Sequence, residues 1–143
     1  SLPQWFVDES TRCARALADA VVRDDYSAAS EAVTATRENL LALSQTAGVA
    51  IETPVLRELV EAAHGLGLSA KSSGAGGGDC GIALVPKGAH EVAADLDRAW
   101  QERGVVPLGL ELAPGTERVL SAGAGWAGAG ERADASDNER RGD

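Results

Sequence analysis

Aromatic residues are scarce in this chain: Phe, Tyr and Trp together make up 3% of its 143 residues. A core must therefore be assembled from Leu, Val, Ile and Ala, which bury less apolar area per side chain. Lysine is confined to Lys71 and Lys87. Basic residues are outnumbered 13 to 22, for a net charge of −9. That argues against non-specific binding to nucleic acid or to an anionic membrane, which needs a basic face. It does not exclude a phosphate ligand, because one local pocket can be positive on an acidic protein. The two cysteines, Cys13 and Cys80, are far apart and in no metal-ligand spacing. They are expected to be free buried thiols in a reducing compartment. No stretch approaches the ~20 continuous apolar residues of a membrane-spanning helix. The start lacks the basic-then-apolar layout of a signal peptide, so the cytoplasm is the expected location. The first residue is Ser1 and helical pattern begins almost at once, which reads as a fragment of a longer protein, with a processed terminus as the alternative.

The chain is long enough for one domain, and its apolar residues fall into recognisable periods. To about Arg23, Phe6, Cys13, Leu17, Ala20 and Val21 lie near one helical face. After Asp24-Asp25 a second helix is expected, with Ser27 as its N-cap. Its stripe is Ala29, Val33, Thr36, Leu40, Leu43 and Ala47, and Gly48 supplies a left-handed stop. Thr53 and Pro54 open a third helix as cap and first helical residue. That helix buries Leu56, Leu59, Val60 and Ala63 and ends at Gly65. Two short strands, Ser69–Ser73 and Cys80–Val85, are expected about a glycine-rich turn. A fourth helix follows over His90–Arg103, then a last strand over Val105–Leu112. In that strand Val106, Leu108, Leu110 and Leu112 alternate with less apolar neighbours. Three helices, two strands, a helix and a strand give an α+β fold: a small, mostly antiparallel sheet packed against helices. From Thr116 to Asp143 the chain is glycine, alanine and charge with little to bury. Ordering it costs about 1–2 kcal/mol per residue, so a disordered tail is expected there.

The segment Lys71-Ser72-Ser73-Gly74-Ala75-Gly76-Gly77-Gly78-Asp79 carries the chemistry. Each glycine carries a conformational-entropy penalty on folding, so this density needs a reason. Without Cβ atoms the backbone can approach a ligand or another segment closely. Successive N–H groups in such turns can also form a concave nest for an anion. Ser72, Ser73 and Lys71 add donors and one positive charge. A tight glycine turn with no ligand remains the alternative. The P-loop pattern is ruled out, because Asp79-Cys80 stands where Gly-Lys-Ser/Thr is required. A dinucleotide fingerprint is ruled out too, because a strand follows the glycines and not a helix.

As a whole this segment resembles the third conserved motif of the GHMP kinases, the superfamily of galactokinase, homoserine kinase and mevalonate kinase. With Lys71-Ser72-Ser73 before the glycines and Asp79-Cys80 after them, it is most similar to the phosphomevalonate kinase family. The segment Gly48-Val49-Ala50-Ile51-Glu52-Thr53-Pro54 and the ending Trp100 to Pro107-Leu108, Leu110-Glu111 are similar to that family as well. The resemblance covers about residues 1–115. It implies a ferredoxin-like C-terminal domain of a two-domain, Mg²⁺- and ATP-dependent enzyme that phosphorylates 5-phosphomevalonate to 5-diphosphomevalonate on the mevalonate route to isoprenoids. Lys71, Ser72, Ser73, Gly74, Ala75, Gly76, Gly77, Gly78 and Asp79 would line the phosphate-bearing end of the site at the junction with an N-terminal domain. Asp79 would either support the loop or touch substrate.

The family's first two motifs, and its catalytic Lys and Asp, are absent from this chain. The resemblance therefore assigns it no catalytic residue and no metal ligand, leaves ATP and Mg²⁺ mainly to the N-terminal domain, and implies that the chain alone is inactive. Another GHMP kinase such as mevalonate kinase, or a non-catalytic ferredoxin-like binding module, are the competing readings. Outside the loop, His64 and His90 read as surface residues and Trp100 as core. Arg37, opposite its helix's apolar stripe, reads as part of a solvated face, with a phosphate contact at the domain junction as the alternative.

Overall fold

Helices take up most of the chain that a computed structural model describes, which is residues 1–74, 77, 78 and 80–109. All of these fall in one unit, Ser1–Gly109. The expected tail at 116–143 lies outside the described residues. Helices α1 (Gln4–Val22), α2 (Tyr26–Ala47) and α3 (Pro54–Gly65) are followed by strands β1 (Ala70–Ser72) and β2 (Gly81–Ala83) and by helix α4 (His90–Glu102). The strands form an antiparallel pair in which Ala70 faces Ala83, Lys71 faces Ile82 and Ser72 faces Gly81. This is the α+β arrangement of helices on a small antiparallel sheet that the periodicity predicts.

The boundaries follow from local chemistry. The second helix starts two residues earlier than expected: Asp25, and not Ser27, is its cap, accepting the Ala28 N–H at 3.0 Å. Asp24 adopts a left-handed φ of 54° to turn the chain between the helices, and aspartate tolerates that region better than bulky residues do. Gly48 ends α2 at φ 66°. Thr53 caps α3 by accepting the Leu56 N–H at 3.3 Å, with Pro54 behind it.

The apolar stripe of α3 is buried as expected. Leu59, Val60 and Ala63 join Leu68, Ala70 and Leu96 in the core, with Val92, Trp100 and Val105 packed around them. Strand β2 comes so close to this helix that a Cβ at Gly81 would stand 2.7 Å from Leu59 Cδ1 and 3.1 Å from the Lys71 carbonyl oxygen. Trp100 joins the core and donates its indole N–H to the Leu59 carbonyl at 3.0 Å.

Helix α1 packs along α2. Buried Asn39 on α2 donates to the Phe6 carbonyl at 3.1 Å and to Ser10 Oγ at 3.0 Å, joining the two helices. The start of α2 is tied to the flanks of the hairpin. Tyr26 Oη donates to the Leu84 carbonyl at 2.9 Å, and the Ser30 and Ser69 hydroxyls lie 2.7 Å apart. Neither cysteine forms a disulfide. Cys13 is buried, which pushes its thiol up from the ordinary range. Cys80 is exposed, against the expectation that both thiols are buried; it stands where the turn meets β2, just before Gly81.

The last expected strand does not form over its described part, residues 105–109. Val105 turns in to the core and bonds the Trp100 carbonyl at 2.9 Å. Val106 and Leu108, the expected inward face, are 78% and 66% exposed. Pro107 has no N–H to give a ladder. Residues 110–112 of that expected strand lie outside the described residues.

Candidate functional site: the glycine turn between β1 and β2

The turn is held open at its base by backbone hydrogen bonding. The Ser73 N–H donates to the Cys80 carbonyl at 2.9 Å, extending the β1–β2 ladder by one step. Beyond it Gly74 takes φ 76° and Gly77 φ 66°, conformations that cost L side chains roughly 1–2 kcal/mol. Among the described residues, and apart from the chain neighbours, no atom lies within 4 Å of where a Cβ would sit on Gly74, Gly77 or Gly78, and all three residues are exposed. These glycines relieve no crowding from the described residues. Gly81 is the opposite case, a glycine required by the close approach of Leu59.

The expected site residues divide by position. Lys71, Ser72, Ser73, Gly74, Gly77 and Gly78 are brought together on β1 and the turn. Ala75, Gly76 and Asp79 lie outside the described residues. Ser72 is buried with Ala70 on the core side of the strand, so it supports the turn from beneath. Lys71 and Ile82 occupy the opposite face, as the two-residue period of a strand requires. Lys71 is partly buried, and its ammonium donates to the Ser72 carbonyl. Desolvation pushes its pKa below the ordinary lysine value. It is neither a fully solvated strand lysine nor paired with a carboxylate by any described bond.

One amide in the turn is already engaged. The Gly77 N–H donates at 2.7 Å to the carbonyl of Ile51, so it stands outside any set of anion-facing donors in this conformation. Ile51 belongs to the connector between α2 and α3. The next residue, Glu52, has a side chain only 6% exposed and receives a bidentate pair from Arg37: Nε to Oε2 at 2.8 Å and Nη2 to Oε1 at 2.9 Å. Arg57 Nε stands 4.0 Å from the same carboxylate. Arg37 is thus neither on a solvated face nor free for phosphate. The hydrogen bonds that Arg37 donates to Glu52 push the guanidinium's pKa further up. Sequence periodicity missed this pair because Glu52 lies outside every helix, in a connector with no repeat to read. The one available signal was the oppositely charged partner that a partly buried arginine needs.

A shallow groove between α1 and α2, with Arg12, Arg23, Asp19 and Glu31 around small alanines, lies on other elements than the turn. Among the described residues, no helix is long and apolar enough to cross a membrane.

Comparison with known proteins places this arrangement. The family described as GHMP kinases C terminal matches residues 17–102. Phosphomevalonate kinase of Streptomyces sp. (strain CL190) is 38% identical over 107 residues, covering 75% of this chain and 29% of that protein. The crystal structure of the Lin0012 protein from Listeria innocua superposes with a TM-score of 0.70 at 33% identity, over 76% of this chain and 30% of that one. Streptococcus pneumoniae phosphomevalonate kinase, in complex with phosphomevalonate and AMPPNP, gives a TM-score of 0.64 at 36% identity, over 72% of this chain and 30% of its own. The chain spans less than a third of the length of each of these relatives. With its family match running from the end of α1 through α2, α3, both strands of the hairpin and α4, the chain belongs to the GHMP kinases as a C-terminal domain, phosphomevalonate kinase-like in sequence.

Proposed function

We propose that this chain is the C-terminal part of a phosphomevalonate kinase. In the intact enzyme the γ-phosphate of ATP passes to the 5-phosphate of phosphomevalonate, giving 5-diphosphomevalonate and ADP. The observation that carries the reading is the turn itself. The left-handed glycines Gly74 and Gly77 are exposed, and a Cβ on either would meet no other part of the described residues, which suits a backbone made to be approached from outside. The family membership and the substrate-bound relative support the same reading.

Phosphoryl transfer rests on positioning and on charge stabilisation around Mg²⁺. The chain's share is positioning. Ser73 and the turn from Gly74 to Asp79 would line the phosphate-bearing end of the site, with Ser72 supporting them from the core side. Lys71 would lend positive charge from the open face of β1. Asp79 would either brace the turn or reach substrate. ATP and Mg²⁺ would be held mainly by an N-terminal domain, and catalytic residues would come from there.

The test is ADP release by the full-length protein that carries this chain, with phosphomevalonate and with mevalonate as alternative acceptors. Turnover dependent on phosphomevalonate is the expected result. Turnover with mevalonate alone would reassign the protein to a sister kinase. The purified chain by itself is expected to release no ADP above background, and phosphomevalonate-dependent release from it would overturn the division of labour.

A further inference from the structure

The connector between α2 and α3 is pinned along almost its whole length. Ser44 Oγ donates to the Val49 carbonyl, and the Ile51 N–H reaches the same hydroxyl at 3.5 Å. Glu52 is clamped by Arg37 through two hydrogen bonds of 2.8 and 2.9 Å. Thr53 then caps α3. The Ile51 carbonyl is therefore a fixed acceptor, and the glycine turn bonds to it through Gly77 at 2.7 Å. Glycine-rich backbone has little rigidity of its own, so a point held from outside sets where the rest of the turn stands.

We propose that Arg37 and Glu52 are positioning residues for the glycine turn. Their ion pair fixes Ile51, Ile51 fixes Gly77, and Gly77 sets the direction of the neighbouring amides that would meet phosphate. The assignment of a phosphate ligand rests on the function proposed above; the tether itself does not. Neither side chain touches substrate in this scheme. A bidentate arginine suits the task because its planar fork fixes the orientation of the carboxylate as well as its distance.

The experiment uses the full-length protein with Glu52→Gln, which keeps the shape of the side chain, and with Arg37→Gln and Arg37→Lys. Hydrogen–deuterium exchange is followed in the peptide containing Gly77 and, as a control, in a peptide from α1. Steady-state kinetics with phosphomevalonate run in parallel. Glu52→Gln and Arg37→Gln are expected to speed exchange at the Gly77 peptide and leave the α1 peptide unchanged. They are expected to lower kcat/KM for phosphomevalonate by about 10- to 100-fold, the scale of a small misplacement of a binding element. Arg37→Lys is expected to restore part of both. Unchanged exchange at Gly77 in folded Glu52→Gln protein overturns the tether, whatever happens to thermal stability. Faster exchange with unaltered kinetics overturns the positioning role. If the wild-type protein shows no turnover with phosphomevalonate, the functional reading falls, and the exchange result still decides the tether.

Discussion

A methyl group at position 81 has no room. The Leu59 methyls at 2.7 and 2.9 Å are the ends of a core side chain, and the Lys71 carbonyl at 3.1 Å is backbone. Gly81→Ala is expected to lower stability by about 1–3 kcal/mol, the usual effect of overpacking, as read from urea denaturation. In combination with Leu59→Ala the loss should fall short of the sum of the two single effects, because the second change removes the obstacle. At Gly77→Ala the new methyl meets no neighbour among the described residues, and the change should lose only the roughly 1–2 kcal/mol of a left-handed non-glycine residue. The sequence alone could not separate these glycines: Gly77 and Gly81 belong to one run, and only the position of Leu59 tells them apart. Lys71 makes a different kind of prediction. Its folded pKa is depressed by desolvation, so just below the ordinary lysine value of about 10.4 the unfolded chain binds the proton more readily than the native one. Stability should therefore rise with pH through that window. Lys71→Met is expected to flatten this component, as seen in melting temperatures measured from about pH 8 to 10, the range just below that ordinary value.

Individual helices were legible wherever one face is apolar and the ends carry capping chemistry. The stripe of α3 and its Thr53-Pro54 start were both readable, because burial and capping act within a few residues of one another. The start of α2 was misplaced by two residues. Asp25 and Ser27 are both good caps, and what decided between them was the left-handed turn at Asp24. Asp25→Ala is expected to cost about 1 kcal/mol, with Ser27→Ala near neutral by the same thermal melt. Contacts between elements were not legible. Asn39 is buried although the expected stripe of α2 runs through Leu40 beside it, because the carbonyl of Phe6 and the hydroxyl of Ser10 come from another helix to receive its amide. The Arg37–Glu52 pair escaped for the same reason, since it joins residues 15 positions apart.

At the scale of the whole molecule the glycine turn stood out in the sequence because its composition is extreme. Its solvent-facing setting came only from the structure. The expected strand at 105–112 failed over its described residues because alternation records which side chains are apolar and not whether a ladder is present to receive them. Val106 and Leu108 consequently face solvent, as does Ile82 on β2. Exposed apolar groups of this kind favour association, so the isolated chain is expected to self-associate as concentration rises. Val106→Lys with Leu108→Lys should reduce this, as measured by light scattering, without lowering the melting temperature. Tyr26 and Ser30 anchor the first turns of α2 to the residues on either side of the hairpin, whereas α1 lies along the outer side of that helix. When the native protein loosens, its outermost layer can peel away while the hairpin stays sewn to α2, so the part of the fold that presents the turn should be the last to come undone.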